Sequence, residues 1–369
     1  MPGPRPHNGW KLDRDTRRDA FVAEALATST DRRSAGANPG RVDALVREAE
    51  AARTVTTDLS GQTTGSRIGG PTRFLPAPFS YALGMNVSYP LDLAGGIRRA
   101  IEEARDQSEA AQAARDQVRV IVAATVTRNY ARVCADGVAL AAARHVVAVQ
   151  RATLDVALRM ASEGRGTRFD SERARTATFA SEAAIPDILA DQKTALFALA
   201  AIMGRIPSDY PRDLEACTTI PSLALPLPVG DGAALLRRRP DIRKAERLFA
   251  AATAGIGVAV ADLYPQVSLG GSVGSTTSIT HALTLSSFGL SVGPLVSWSF
   301  PNRVLANARI AQAGAEAHAA LGTFDGTILL ALKQTETALS AYMRTRERLE
   351  DLERAANSAG KASADAETL

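Results

Sequence analysis

The sequence predicts an α plus β membrane protein made of long antiparallel coiled helices and a few barrel-type strands. Three observations carry this expectation. A helical pattern free of proline runs from about Ile97 to Ser162. Strict two-residue alternation marks Tyr81–Leu93 and Phe288–Phe300. The order alternating strand, short polar break, long Ala-rich helix occurs twice, over Tyr81–Ser162 and Phe288–Leu352, which is an internal repeat.

Composition agrees. Only 5% of the 369 residues are aromatic, Gly is common at 28, and Ala is abundant. Such a chain suits close-packed helices better than a large globular core. Lys+Arg exceed Asp+Glu by 43 − 39 = 4. The charges interleave, as from Arg98 to Arg105 and from Arg344 to Arg354, which reads as solvated helix faces. No basic block is spaced with aromatics, so nucleic acid is not an expected partner. No run approaches the roughly 18 apolar residues of a membrane helix. Residues 1–19 are polar, so this sequence writes no signal peptide.

Taken in order, 1–52 is an N-terminal helical segment. Residues 53–93 hold a first pair of strands, the Thr-rich stretch 54–64 and Tyr81–Leu93. In the latter, Tyr81, Leu83, Met85, Val87, Tyr89, Leu91 and Leu93 alternate with small or polar residues. Residues 97–203 form a long helical hairpin. Its first arm, at 1.5 Å per residue, spans about 100 Å. Glu163-Gly164-Arg165-Gly166-Thr167 is the turn. The return helix, from about Asp170, is expected to bend at Pro186.

Residues 204–234 are a Pro-rich connector. A second-repeat helix covers 239–263, with Pro240 at its first position and Asp241 facing the positive end of the dipole. A second pair of strands lies in 265–300. In its last strand Phe288, Leu290, Val292, Pro294, Val296, Trp298 and Phe300 oppose Gly289, Ser291, Gly293, Ser297 and Ser299. Residues 302–369 are a long helix of a second hairpin, expected to run to about Leu352 and end in a polar tail.

The strands carry the membrane argument. Their polar faces hold Gly and Ser with hardly any Lys or Glu, which suits a packed or water-lined lumen. Their apolar faces end in Tyr89, Trp298 and Phe300, as at a lipid interface. Leu290 and Val292 are therefore expected to face lipid. A sheet in lipid must close, and about eight strands is the smallest closed barrel with an interior. Four strands require other chains.

Other chemistry is not written here. Cys134 and Cys217 form no CxxC pair, and His7, His145, His281 and His318 are scattered. The two thiols are either independent or one disulfide, with the connector folding back toward Cys134. No acid, base and nucleophile set suggests an enzyme, and no cofactor is implied. Asp241 and Glu246 beside the arginines read as a capped, salt-bridged helix start.

One block is specific. Leu235-Leu-Arg-Arg-Arg-Pro-Asp-Ile-Arg-Lys-Ala-Glu-Arg247, with Arg238, Arg239, Pro240, Asp241, Arg243 and Glu246 in register, resembles the LLxRRPDxRxAER signature of TolC-like outer-membrane efflux proteins. Tyr89-Pro-Leu-Asp-Leu-Ala-Gly-Gly96 and Trp298-Ser-Phe-Pro-Asn-Arg303 resemble that family's two strand-to-helix junctions. The resemblance covers nearly the whole chain. It implies a homotrimer whose protomers share one β-barrel above an α-barrel tunnel, located in the outer membrane and reaching into the periplasm. The trimer acts as a passive exit duct, with a periplasmic adaptor and an inner-membrane efflux transporter as partners. It also implies that the hairpin tip, with Gly164, Arg165, Gly166 and Asp170, meets the adaptor. The alternatives are a non-conducting fragment of such a channel or a soluble coiled-coil adaptor, which lacks paired Gly/Ser-alternating strands. The family further implies a leader, often lipid-bearing, and a last helix after Leu369. The expectation is that the alanines 306, 308, 311, 313, 315 and 317 lack a neighbour, and that this sequence alone seals no tunnel.

Overall fold

The structure, a computed structural model, describes residues 15–65, 79–221, 232–278, 287–299 and 303–368. The elements are α1 (Thr16–Thr28), α2 (Thr30–Ala51), β1 (Thr56–Gly65), β2 (Phe79–Leu91), α3 (Gly96–Ser162), α4 (Arg168–Ile202), a 3-10 turn (Arg212–Ala216), α5 (Gly232–Arg238), α6 (Pro240–Ala261), β3 (Gln266–Ser278), β4 (Phe288–Ser297) and α7 (Arg303–Thr368). They fall into two compact units, one of Met1–Pro39 and Ala113–Leu235, the other of Gly40–Gln112 and Leu236–Leu369.

The first unit is a helical core. Val122, Val126, Tyr130 and Val133 recur along α3 at helical spacing, as do Leu196, Leu199 and Met203 on α4. They enclose Val22 and Ala25 of α1 and Leu214 of the 3-10 turn. Leu196, Leu199 and Leu214 are 0% exposed. Burying each such side chain contributes about 1.5–3 kcal/mol. Burial, with Asp15 beside it, pushes the Tyr130 phenol up to about 12. Arg205 of the connector donates to Glu24 of α1 at 2.7 Å. Arg17 pairs with Asp213.

The second unit contains the sheet, a four-stranded antiparallel meander in the order β1-β2-β3-β4. The chain passes from β2 to α3 through a specific corner. Asp92 accepts hydrogen bonds from the backbone N–H groups of Ile97 and Arg98, both at 3.0 Å, capping α3. Gly95 takes the left-handed φ of +79° that an L side chain resists. Around the sheet's root, Arg105 of α3 pairs with Glu50 of α2 at 2.6 Å. Arg309 of α7 pairs with Asp262, just past α6, at 2.7 Å.

Three expectations are corrected and one is refined. The N-terminal segment is helical over Thr16–Ala51 but divides into two helices at Ser29, which leaves helical geometry at ψ 131° and is buried. The connector ends in α5, a short helix that the run of arginines and prolines hid. The polar tail after Leu352 is helical to Thr368, sustained by alanines and by pairs such as Arg346–Glu350 at 3.5 Å. The six alanines of α7 are not one face. At about 100° per residue, Ala306, Ala313 and Ala317 share a stripe, while Ala308, Ala311 and Ala315 lie opposite. Ala306 and Ala317 are buried, as is Ala331 further along, and the opposite three are exposed. In addition, α3 contains one window long and apolar enough to cross a membrane by length and composition alone, although only 28% of it is buried. Pro186 lies inside α4 without ending it.

Candidate membrane interface and hairpin tip

β2, β3 and β4 alternate, and the ladder register decides whether their apolar positions coincide. It makes them coincide. Leu59 pairs with Met85, Met85 with Val273, and Val273 with Leu290. Tyr89 pairs with Leu269 and Leu269 with Pro294, while Leu91, Val267 and Val296 form the next rank. Directly opposite residues point to the same face of an antiparallel pair, so one face is apolar across β2, β3 and β4, and Leu59 extends it into the otherwise Thr- and Gly-rich β1. A one-residue slip at any pairing would break this continuity. The other face carries Ser60, Gly84, Ser88, Ser268, Ser272, Gly274 and Ser291, with Ser272 and Ser291 hydroxyls 2.7 Å apart.

Among the described residues nothing covers the apolar face. Leu290 is 79% exposed and Val292 is 83% exposed; Tyr89 and Trp298 are also exposed. A patch of this extent on a soluble surface would promote aggregation. Trp298 lies just past β4, and Phe300 lies outside the described residues. Sequence alternation missed Leu295, which sits on the small-residue face opposite Ser268. Gly270 makes room for it: a Cβ there would meet Leu295 Cδ1 at 2.5 Å. β1 and β4 each pair on one side only, so the described sheet has two open edges.

The turn between α3 and α4 is built by three residues. Gly164 closes α3 at φ +72°, and the N–H groups of Arg165 and Gly166 both donate to Met160 O, at 2.8 and 3.0 Å. Thr167 and Asp170 form a reciprocal capping box. Thr167 holds the Asp170 carboxyl below its usual range. Arg165 and Phe169 are exposed, with Arg165 only 4.0 Å from Glu163. Gly164 and Asp170 thus have structural roles of their own, and Glu163, Arg165, Arg168 and Phe169 are exposed beside them. Phe169 had no signal in the sequence reading.

The signature block starts α6. Arg239 is its N-cap and Pro240 its first residue. The guanidinium donates to both Asp241 oxygens, at 3.0 and 2.7 Å, and to Gln334 Oε1 of α7 at 2.7 Å. Asp241 also accepts from the Ile242 N–H at 3.0 Å. The Arg239 guanidinium holds the Asp241 carboxyl below its usual range. Arg238, Arg243 and Glu246 are exposed, and Glu246 pairs with Arg247 at 3.0 Å. Arg247, which sequence reading left without a role, reaches Asp106 at 3.1 Å and Glu109 at 3.3 Å on α3. The block is therefore a fastener between α6 and two neighbouring helices.

Cys134 and Cys217 are joined by a disulfide. Among the described residues no cluster of three or more His, Cys, Asp or Glu side chains is placed to hold a metal.

Comparison with known proteins completes the picture. Residues 22–205 and 233–368 match the family model described as outer membrane efflux protein. Nodulation protein T of Rhizobium leguminosarum bv. trifolii is 27% identical over 346 residues, 91% of this chain and 72% of that protein. The solvent efflux pump outer membrane protein SrpC of Pseudomonas putida is 29% identical over 326 residues, 86% of this chain and 68% of that protein. The solved structure of the outer-membrane channel OprN is similar at a TM-score of 0.87 and 32% identity, covering 94% of this chain and 78% of that one. VceC of Vibrio cholerae shares the fold at a TM-score of 0.82 and 22% identity, over 95% of this chain and 84% of that one. With its sheet, hairpin and signature helix matched across most of its length, this chain belongs to the outer membrane efflux protein family and is an outer-membrane protein.

Proposed function

We propose that this chain is one protomer of a passive exit duct in a tripartite efflux pump. One observation carries the reading: the ladder register gathers the apolar positions of β2, β3 and β4, with Leu59 of β1, onto one exposed face and leaves both edges of the described sheet open. An apolar face needs lipid, and open edges cannot persist there. Three copies of four strands make twelve, enough to close a barrel with an aqueous interior lined by Ser, Thr and Gly. The homotrimer passes solute without a binding pocket. The α3–α4 tip meets a periplasmic adaptor, with Arg165 and Phe169 among its exposed groups, and selection among solutes rests with an inner-membrane transporter.

Cysteine accessibility tests the orientation. In outer membranes, Ser291→Cys should react with a water-soluble maleimide and Val292→Cys should not. Reaction at Val292→Cys with protection at Ser291→Cys would place the apolar face in the lumen and refute the reading.

A further inference from the structure

The disulfide sits where the connector crosses the helical core. Cys134 is 0% exposed, packed with Val133, Leu199 and Leu214. Cys217 ends the 3-10 turn and is only partly buried. The crossing is close: a Cβ on Gly137 of α3 would fall 2.0 Å from the Cys217 carbonyl oxygen. The buried Gln192 of α4 binds both partners through its amide, donating to Val133 O at 3.4 Å and to Glu215 O at 3.3 Å. Lys193 of α4 pairs with Glu215 at 2.6 Å. One covalent bond therefore joins the connector to α3 at a point where α4 grips it as well.

We propose that this cystine is a one-way redox latch, closed outside the cytoplasm while the connector is still open and inaccessible to reduction once it has closed. Closure transfers two electrons. The Cys134 and Cys217 thiols lose two protons and become the disulfide, and the disulfide of a thiol oxidase becomes a dithiol. An outer-membrane protein meets such oxidants in the periplasm. Reversal is blocked at both sulfurs. The Cys134 sulfur lies in the apolar core, out of reach of an attacking thiolate. Attack on the more accessible Cys217 sulfur must expel Cys134 as a thiolate into that same core, where the charged form is strongly disfavoured. The latch holds the connector against α3 and α4 whatever the channel conducts.

Maleimide mass-tagging of the full chain, from membranes and without any variant, is the test. Unreduced, denatured chain should carry no tags. Native chain treated with dithiothreitol should still carry none, and denaturation in dithiothreitol should expose two per chain, its whole complement of cysteines. Tags on the unreduced chain, or rapid tagging of the reduced native chain, would overturn the latch. As a second arm, Cys134→Ala/Cys217→Ala should speed tryptic cleavage of the connector at Arg205 or Arg212 by about tenfold or more, since an untied loop opens locally. Cleavage at the wild-type rate would also overturn it.

Discussion

The helical core and the four-stranded sheet use the same apolar side chains in opposite ways. Around Cys134, leucines and valines are withdrawn from water by α1, α3, α4 and the connector. On the sheet, leucines and valines of equal size stand in the open. The first region is complete in one chain and has a covalent clasp. The second has regular backbone pairing, but among the described residues its apolar face has no cover and its edges have no partner. Exposure here measures what the single chain lacks, so the two regions should respond differently to the same change.

The largest effects should follow apolar truncation. Leu199→Ala removes a fully buried side chain and should cost about 2–5 kcal/mol, read as a lower denaturant midpoint of the helical core. Leu290→Ala on the sheet should leave that midpoint unchanged. Leu290→Arg should instead reduce membrane insertion, by about 2–4 kcal/mol if the site lies near the bilayer centre. Equal destabilisation of the core by both alanine variants would remove the contrast.

Glycines sharpen it next. Gly137→Ala puts a Cβ into the Cys217 carbonyl, and the backbone must shift at a cost of about 1–3 kcal/mol. Gly164→Ala meets open space and suffers only from its positive φ, about 1–2 kcal/mol confined to the tip. Global unfolding should register the first. Hydrogen exchange near Arg165 should register the second.

The smallest effect is electrostatic. Asp241 has a folded pKa below its unfolded value. Its contribution is present above the usual carboxylate range and is lost as pH falls through the depressed folded value. Asp241→Asn should cost about 1 kcal/mol or less at neutral pH and nothing at the acid end. A variant equally destabilised at both ends would show that the Arg239 pair is not its cause.

Strands and long helices were legible because two-residue and 3.6-residue periodicities are strong local signals over ten or more positions. Tyr81–Leu93 and Phe288–Phe300 fell within two or three residues of β2 and β4. What local pattern cannot carry was missed. Ser29 divides the N-terminal helices, and its burial is set by tertiary packing that the local pattern does not show. The six alanines of α7 were grouped by composition, although helical angle divides them. Leu295 depends on a glycine in a neighbouring strand, and Arg247 on carboxylates about 140 residues away. The signature Arg239–Asp241 was legible as a helix start, yet its link to Gln334 was not, because nothing in a sequence specifies which helix lies alongside.

The most direct test of the central claim is a cross-link between sheet edges. In one chain, two strands separate β1 from β4, about 14 Å at ordinary strand spacing. A disulfide needs Cα atoms within about 7 Å, so none can form within the chain. Cysteines placed in pairs, one at Thr57, Leu59 or Gly61 and one at Leu290, Val292 or Pro294, should give covalent dimers and trimers after oxidation in outer membranes. Monomers from every pair, with the doubly substituted chain present in the membrane, would contradict a sheet closed by identical copies.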